Sequence, residues 1–343
     1  MPEFQSLSFT VNTLAFIAAA CVIAVSGWFL ARAADRIADI TKLGEAVTGA
    51  LLLGAATSLP ELATSITAAV RNHPELAVSN AVGSIAAQTA FLAVVDITYR
   101  RANLEHAAAS AANVLQGALL VTLLAMILVA SGTPAFTVFG VHPMTVLMFA
   151  TYAYGFRLVS LAHTHPMWRP KSTMETREDK PDARNARVRL APQLWQLSAL
   201  VPLVIAAGWT LAETGVALAA ATGLTQTAVG AVFTGVASSL PELVTALAAV
   251  RQGALTLAVG GIIGGNAFDT LIVAVSDLAY RGGSVLHAIG DGAQFLVAVA
   301  LLQAGFLLMG LMHRERHGIA NIGTESALIL VIYVTAVVII FAA

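Results

Sequence analysis

Ten long apolar runs dominate this chain and leave little room for any architecture but one. They fall at about 9–30, 45–70, 76–98, 107–130, 135–161, 193–214, 224–250, 255–279, 287–312 and 322–342. A membrane-spanning helix needs roughly 20 mostly apolar residues. Of the 343 residues, 58% are hydrophobic and only 11% are charged, where a soluble domain carries about 25% charged residues. Too little polar surface remains to cover a water-soluble globule. The expected fold is therefore all-α and integral to a membrane, with ten transmembrane helices. The net charge of −1 offers no basic surface for nucleic acid. A single cysteine, Cys21, supports neither a disulfide framework nor a cysteine-type metal motif. The first run is expected to be a retained helix rather than a signal peptide, because residues 1–12 hold Glu3 and no Lys or Arg.

Counting basic residues on alternate sides sets the expected orientation. One side collects Arg32, Arg36, Lys42, Arg100, Arg101, Arg157, the run from Arg169 to Arg189, Arg251, Arg314 and Arg316. The other side holds only Arg71 and Arg281. The first side is expected to be cytoplasmic, with both termini outside, in a cell membrane of the bacterial inner type. The polar stretch 163–192 contains Pro166, Pro170 and Pro181 among mixed charges and reads as a solvated cytoplasmic linker. It divides the chain into halves 1–162 and 193–343, each with five runs.

A shift of 181 residues superimposes two segments without a gap. Gly54–Ser65 (GAATSLPELATS) matches Gly235–Ala246 (GVASSLPELVTA), and Leu76–Thr89 (LAVSNAVGSIAAQT) matches Leu257–Thr270 (LAVGGIIGGNAFDT). The same shift pairs Asp96 with Asp277, Tyr99 with Tyr280 and His106 with His287. Five spans per half is an odd number, so the second half enters the membrane the other way up. Two inverted five-helix repeats of this kind place substrate sites at their interface near the midplane.

The repeats carry acids where acids are costly. Glu61 and Glu242 lie mid-span, as does Asp269, and a charge at the bilayer centre costs roughly 2.5–3.5 kcal/mol on insertion scales. At helical spacing Thr57 and Ser58 share a face with Glu61, and Ser238 and Ser239 share one with Glu242. Pro60 and Pro241 withhold a backbone N–H from the helix, and broken helices at membrane depth are tolerated where they line a cavity. Ser84 and Gln88 in one span, Gly265 and Asp269 in its partner, face the same region. Gly83, Gly264 and Gly265 permit close helix approach. This donor set is hard oxygen with no Cys or His, which suits Ca²⁺ or Na⁺ and not Zn²⁺ or Cu⁺.

These segments resemble the alpha repeats of the calcium/cation antiporter superfamily, which includes the sodium/calcium exchangers. The family pattern is G-T-S-x-P-E followed by G-S-N-x-x-[DN], twice, and the resemblance covers about 44–106 and 223–287. It implies that Glu61 and Glu242 bind Ca²⁺ and Na⁺ alternately, aided by Thr57, Ser58, Ser238, Ser239, Ser84, Gln88 and Asp269. The chain departs from the pattern at Ile85, Gly265 and Gln88. Those departures leave the coupling ion open between Na⁺ and H⁺.

Asp96 and Asp277 each precede an arginine by four residues and read first as interfacial ion pairs or caps, with a vestibule role for cations as the alternative. His106 and His287 read as interfacial, as do Tyr99, Tyr280, Trp195 and Trp209. No G-x-S-x-G or H-E-x-x-H motif is present, so an enzyme is not expected. A scaffold would have no need of mirrored acids at membrane depth. The expected partners are inorganic cations and the lipid bilayer, with no resident cofactor. The expected activity is antiport of Ca²⁺ against Na⁺, or against H⁺ on the same fold. Another divalent ion is the more distant possibility, Mg²⁺ least of all because it dehydrates reluctantly.

Overall fold

The structure is a computed structural model that describes residues 4–41, 54–99, 101–165, 168–171, 173, 189–316, 318 and 322–342. Every regular element among them is helical. The first half contains α1 (Phe9–Thr41), α2 (Gly54–Thr57), α3 (Leu59–Val70), α4 (Pro74–Thr98), α5 (Leu104–Ala107), α6 (Ala111–Ser131) and α7 (Pro143–Thr164). The second contains α8 (Leu190–Thr222), α9 (Gln226–Ala228), a π-helical turn at Val229–Thr234, α10 (Gly235–Ser238), α11 (Leu240–Gln252), α12 (Leu255–Ala279), α13 (Val285–Ala288), α14 (Asp291–His313) and α15 (Thr324–Ala342).

The 181-residue offset extends far beyond the segments where the sequences match. It carries α1 onto α8 and α4 onto α12 at both ends. The starts of α2, α3, α5 and α7 map onto those of α10, α11, α13 and α15 in the same way. The two halves therefore share one helical plan.

Among the described residues, eight helices are long and apolar enough to cross a membrane, or nine if the pair Gln226–Ser238 and Leu240–Arg251, bent by 42°, forms one span. That differs from the ten expected. The missing run, about 45–70, is present as α2 and α3, and its part before Gly54 lies outside the described residues. So do Lys42, Arg100 and most of the 163–192 linker. The first expected run, 9–30, continues as helix to Thr41.

Burial separates core from periphery. In α4 and α12, 78% and 83% of the most apolar window is buried, against 28%, 17%, 22% and 22% in α1, α7, α8 and α15. The outer helices turn Leu14, Ile17, Val146, Leu203, Val331 and Val338 outward, as lipid-facing surfaces do and water-facing ones do not. α4 packs on α12, and α1 lies along α8. Two glycines related by the offset, Gly27 and Gly208, set how closely that outer pair sits. A Cβ on Gly27 would fall 2.2 Å from Cγ of Pro241, and one on Gly208 would fall 2.8 Å from the carbonyl oxygen of Pro60. Each long helix thus rests on the proline of the opposite half.

The chain breaks at Ser58 (φ −79°, ψ 2°) and Ser239 (φ −87°, ψ 2°), and a helix restarts with proline in its first turn. Bridge-region backbone ends one helix, and Pro60 and Pro241 then sit where a missing N–H is harmless.

Asp96 and Asp277 act as caps, one of the two roles their position suggested. Both are fully buried. Asp96 accepts Leu104 N at 2.6 Å and Gly323 N at 2.8 Å. Asp277 accepts Val285 N and His142 N, each at 2.9 Å, with Thr145 Oγ1 at 2.6 Å and the Ser284 hydroxyl. Leu104 and Val285 are again 181 apart. Each aspartate ties the end of a core helix to the short helix that follows and to the start of the outer helix of the other half, α15 or α7. Orphan N–H groups at those helix starts need an acceptor where water is excluded, and these carboxylates supply it. His106 is buried, with Nδ1 2.7 Å from Arg314 O and Nε2 3.0 Å from Thr173 Oγ1. His287 packs edge-on against His142 with ring centroids 4.9 Å apart.

Beside Asp96, Glu105 bonds to Ser326 while its Oε2 has no partner among the described residues. Burial first, and the Asp96 charge second, raise its carboxyl from 4.5 to about 7. A raised acid contributes stability that is complete below about pH 4.5 and lost as pH rises to about 7. The chain is expected to melt at higher temperature at pH 5 than at pH 8, with Glu105→Gln flattening that difference by on the order of 2–3 kcal/mol. An unchanged pH dependence in the variant, measured in detergent, would remove Glu105 as its source.

Candidate functional site

The two chain breaks bring the polar residues of both halves together beside the crossing of α4 and α12. Glu61 and Glu242 stand in the first turns of α3 and α11, immediately after the prolines. Gln88 and Asp269 lie at equivalent positions in α4 and α12, again 181 apart. Thr57, Ser58, Glu61, Ser84, Gln88, Ser238, Ser239, Glu242 and Asp269 are all buried.

Hydrogen bonds run between the halves. Gln88 Nε2 donates to Asp269 Oδ2 at 2.9 Å and reaches Ser239 Oγ at 3.3 Å. Ser239 Oγ lies 3.1 Å from Glu61 Oε1. Ser84 Oγ is 3.2 Å from Gly235 O and 3.5 Å from Ser238 Oγ. Thr57 donates to Gly54 O at 3.1 Å and faces Glu242, while Ser58 faces Asp269. The sequence places each hydroxyl pair beside the glutamate of its own repeat. The structure crosses them, because the breaks at Ser58 and Ser239 interrupt the i,i+4 relation and swing each pair toward the opposite half.

Several oxygens aimed into this region have no hydrogen-bond partner among the described residues: both oxygens of Glu242, Oε2 of Glu61, Oδ1 of Asp269 and Oε1 of Gln88. Buried acceptors without donors are rare and call for a cation, a proton or water. Glu61 feels the charges of Glu242 and Asp269, yet no three His, Cys, Asp or Glu side chains among the described residues close into a metal-holding cluster. The Gln88 amide and the Ser239 hydroxyl link Asp269 to Glu61. The array offers mixed carboxylate, amide and hydroxyl oxygens, a set that suits a hard cation of flexible coordination.

Two braces were not legible from the motifs. Asn80 Nδ2 donates to Glu61 O at 3.3 Å and to Ser65 Oγ at 3.0 Å, and Ser65 Oγ donates to Ala77 O at 2.9 Å. Asn266 Nδ2 donates to Thr89 Oγ1 at 2.9 Å. Comparing the repeats position by position would have exposed the first, since Asn80 and Ser65 align with Gly261 and Ala246. Gly83 does allow close approach: a Cβ there would lie 2.3 Å from Cα of Ala231.

The family described as "Sodium/calcium exchanger protein" matches residues 11–161 and again residues 193–342. The chain belongs to this family. It is a cation-antiporter family, and its members are membrane transporters rather than enzymes. One relative of this sodium/calcium exchanger family protein, the "Putative antiporter CaxA" of Alkalimonas amylolytica, is 26% identical over 285 residues, 81% of this chain and 83% of that one. Two solved structures share the fold. The sodium-calcium exchanger NCX_Mj is 18% identical with a TM-score of 0.61, over 96% of this chain and 98% of its own. The H⁺/Ca²⁺ exchanger CAX is 12% identical with a TM-score of 0.70, over 96% and 85%. The fold is common to exchangers named for Na⁺ and for H⁺.

Proposed function

We propose that this family member exchanges Ca²⁺ for Na⁺ by alternating access to one site built from both halves. Glu61 and Glu242 supply the charge that a desolvated Ca²⁺ requires. Thr57, Ser58, Ser84, Ser238 and Ser239 add the neutral oxygens that Na⁺ also uses, with Gln88 and Asp269 completing the set. The observation that carries this reading is the group of buried carboxylate oxygens with no hydrogen-bond partner among the described residues, joined across the halves by Gln88–Asp269 and Ser239–Glu61. Occupancies that share ligands exclude one another, as antiport demands. The halves 1–162 and 193–343 enter the membrane with opposite orientation around this site, in a cell membrane, with both termini outside.

The second reading has H⁺ as the driving ion. It is favoured by Gly265, which lacks the hydroxyl of its repeat mate Ser84, and by the Gln88–Asp269 bond, which engages Oδ2 and leaves Oδ1 without a hydrogen-bond partner among the described residues, able to take a proton. Ca²⁺ uptake into proteoliposomes decides between them when Na⁺ and pH gradients are imposed separately at clamped potential. Uptake driven by internal Na⁺ supports the first reading. Uptake that follows pH and ignores Na⁺ overturns it in favour of the second, and uptake that ignores both rejects antiport.

The basic face, with Arg32, Arg36, Arg251 and the 163–192 linker, is the cytoplasmic one. A cysteine at Ser172, outside the described residues, is expected to resist impermeant thiol reagents in intact cells. Ready labelling there reverses the orientation.

A further inference from the structure

The two halves match helix for helix, but the surroundings of their two glutamates do not. On the first side, Glu61 is shut in. Asn80 bonds to its backbone oxygen and to Ser65, and Arg71 Nε closes onto Glu213 Oε1 at 2.6 Å across α3 and α8. Trp209 there packs against Phe4 with ring centroids 5.6 Å apart. The equivalent positions beside Glu242 hold Ala246 for Ser65, Gly261 for Asn80, Arg32 for Glu213 and Trp28 for Trp209. No side-chain latch can form from an alanine and a glycine. A cavity of about 120 Å³ occupies that place, lined by Trp28, Arg32, Thr57, Glu242, Ala246 and Gly261 among others. That volume holds several waters, each needing roughly 10–15 Å³ by the same measure. Arg32 is held against the wall, its guanidinium 4.2 Å from the Trp28 ring centre. A Cβ on Gly261 would meet nothing within 4 Å, so the missing side chain, and not a packed neighbour, leaves the space open.

We propose that this cavity is the hydrated route by which a small inorganic cation reaches Glu242 from the face bearing Arg32 and Arg251, and that Ala246 and Gly261 keep it open while Ser65 and Asn80 latch its counterpart beside Glu61. The proposal rests on the exchange reading for what passes through the route, and adds which residues decide from which side the site is reached. The asymmetry is in the sequence, so it is a built-in bias toward access from the basic face. Reaching Glu61 from the opposite face requires the Asn80–Ser65 and Arg71–Glu213 contacts to part.

The test uses the full chain in vesicles of known orientation, with Cys21→Ser to remove the exposed native thiol and Thr245→Cys to place one in the cavity wall. Labelling by a small cationic methanethiosulfonate is expected to be at least about tenfold faster from the basic face, and to slow when Ca²⁺ is added. Gly261→Asn gives the second repeat the latch residue of the first, and is expected to slow labelling about tenfold, the effect of one buried hydrogen bond. Asn80→Gly is expected to do the reverse for a cysteine at Thr64, raising its reactivity from the opposite face. Equal labelling from both faces, or no protection by Ca²⁺ in the otherwise native chain, overturns the route even if Gly261→Asn fails to fold. Ca²⁺ flux recorded on the same vesicles reads the exchange activity separately, so loss of one reading is distinguishable from loss of the other.

Discussion

Glu242→Gln is expected to lower Ca²⁺ transport by at least about 100-fold, the effect of removing one charge from a desolvated pair, and to leave the chain folded. Neither Glu242 oxygen has a hydrogen-bond partner within ordinary distance among the described residues, and an amide oxygen there can still face the Thr57 hydroxyl. It also removes a carboxyl buried beside two others, and thermal stability is expected to hold or rise. Glu61→Gln is expected to match it in transport, because its Oε1 can still meet the Ser239 hydroxyl as an amide oxygen. Radiolabelled Ca²⁺ uptake and melting in detergent are the measurements. Transport within about threefold of wild type in either variant would remove that residue from the site.

Much of this site is legible in the chain itself. A mirrored SLPEL at a 181-residue offset points to both glutamates, and the aligned LAVSNAVGS and LAVGGIIGG segments lead to Gln88 and Asp269. Apolar runs reveal the helices, but not that α1 continues past Leu30 to Thr41, where Arg36 reaches Gln193 of α8. The crossing of hydroxyl pairs to the opposite acids was hidden because periodicity assumes an unbroken helix, and Ser58 and Ser239 break it. Asp96 and Asp277 read equally as ion pairs or caps, and sequence alone could not choose the cap or name what it holds, for a related reason. Their spacing to arginine is local and visible, while their true partners, Gly323 N and His142 N, lie 227 and 135 residues away. The coupling ion stays illegible, because oxygens that bind Na⁺ can also serve a proton.

Asp269→Asn is expected to separate coupling from Ca²⁺ binding. On the proposed site the two glutamates would balance the +2 charge of Ca²⁺, leaving the third acid to the driving ion. Its repeat mate Gln88 is already neutral, and an Asn at 269 can still accept the Gln88 amide. Gradient-driven Ca²⁺ uptake is expected to fall by at least about 30-fold, in line with about 2 kcal/mol for a buried charged interaction. Ca²⁺–Ca²⁺ exchange, which needs no driving ion, is expected to stay within about threefold of wild type. Equal loss of both modes would place Asp269 among the Ca²⁺ ligands instead. Equal retention would exclude it from the mechanism.

The central claim is that two inverted halves build one site, so that neither half binds Ca²⁺ alone. Calorimetric titration of the purified chain with Ca²⁺ tests it most directly, run on the wild type and on Glu61→Gln and Glu242→Gln. The account predicts one Ca²⁺ per wild-type chain and none in either variant at matched concentration. Two Ca²⁺ per chain, with each variant retaining one, would contradict it and give each repeat a site of its own.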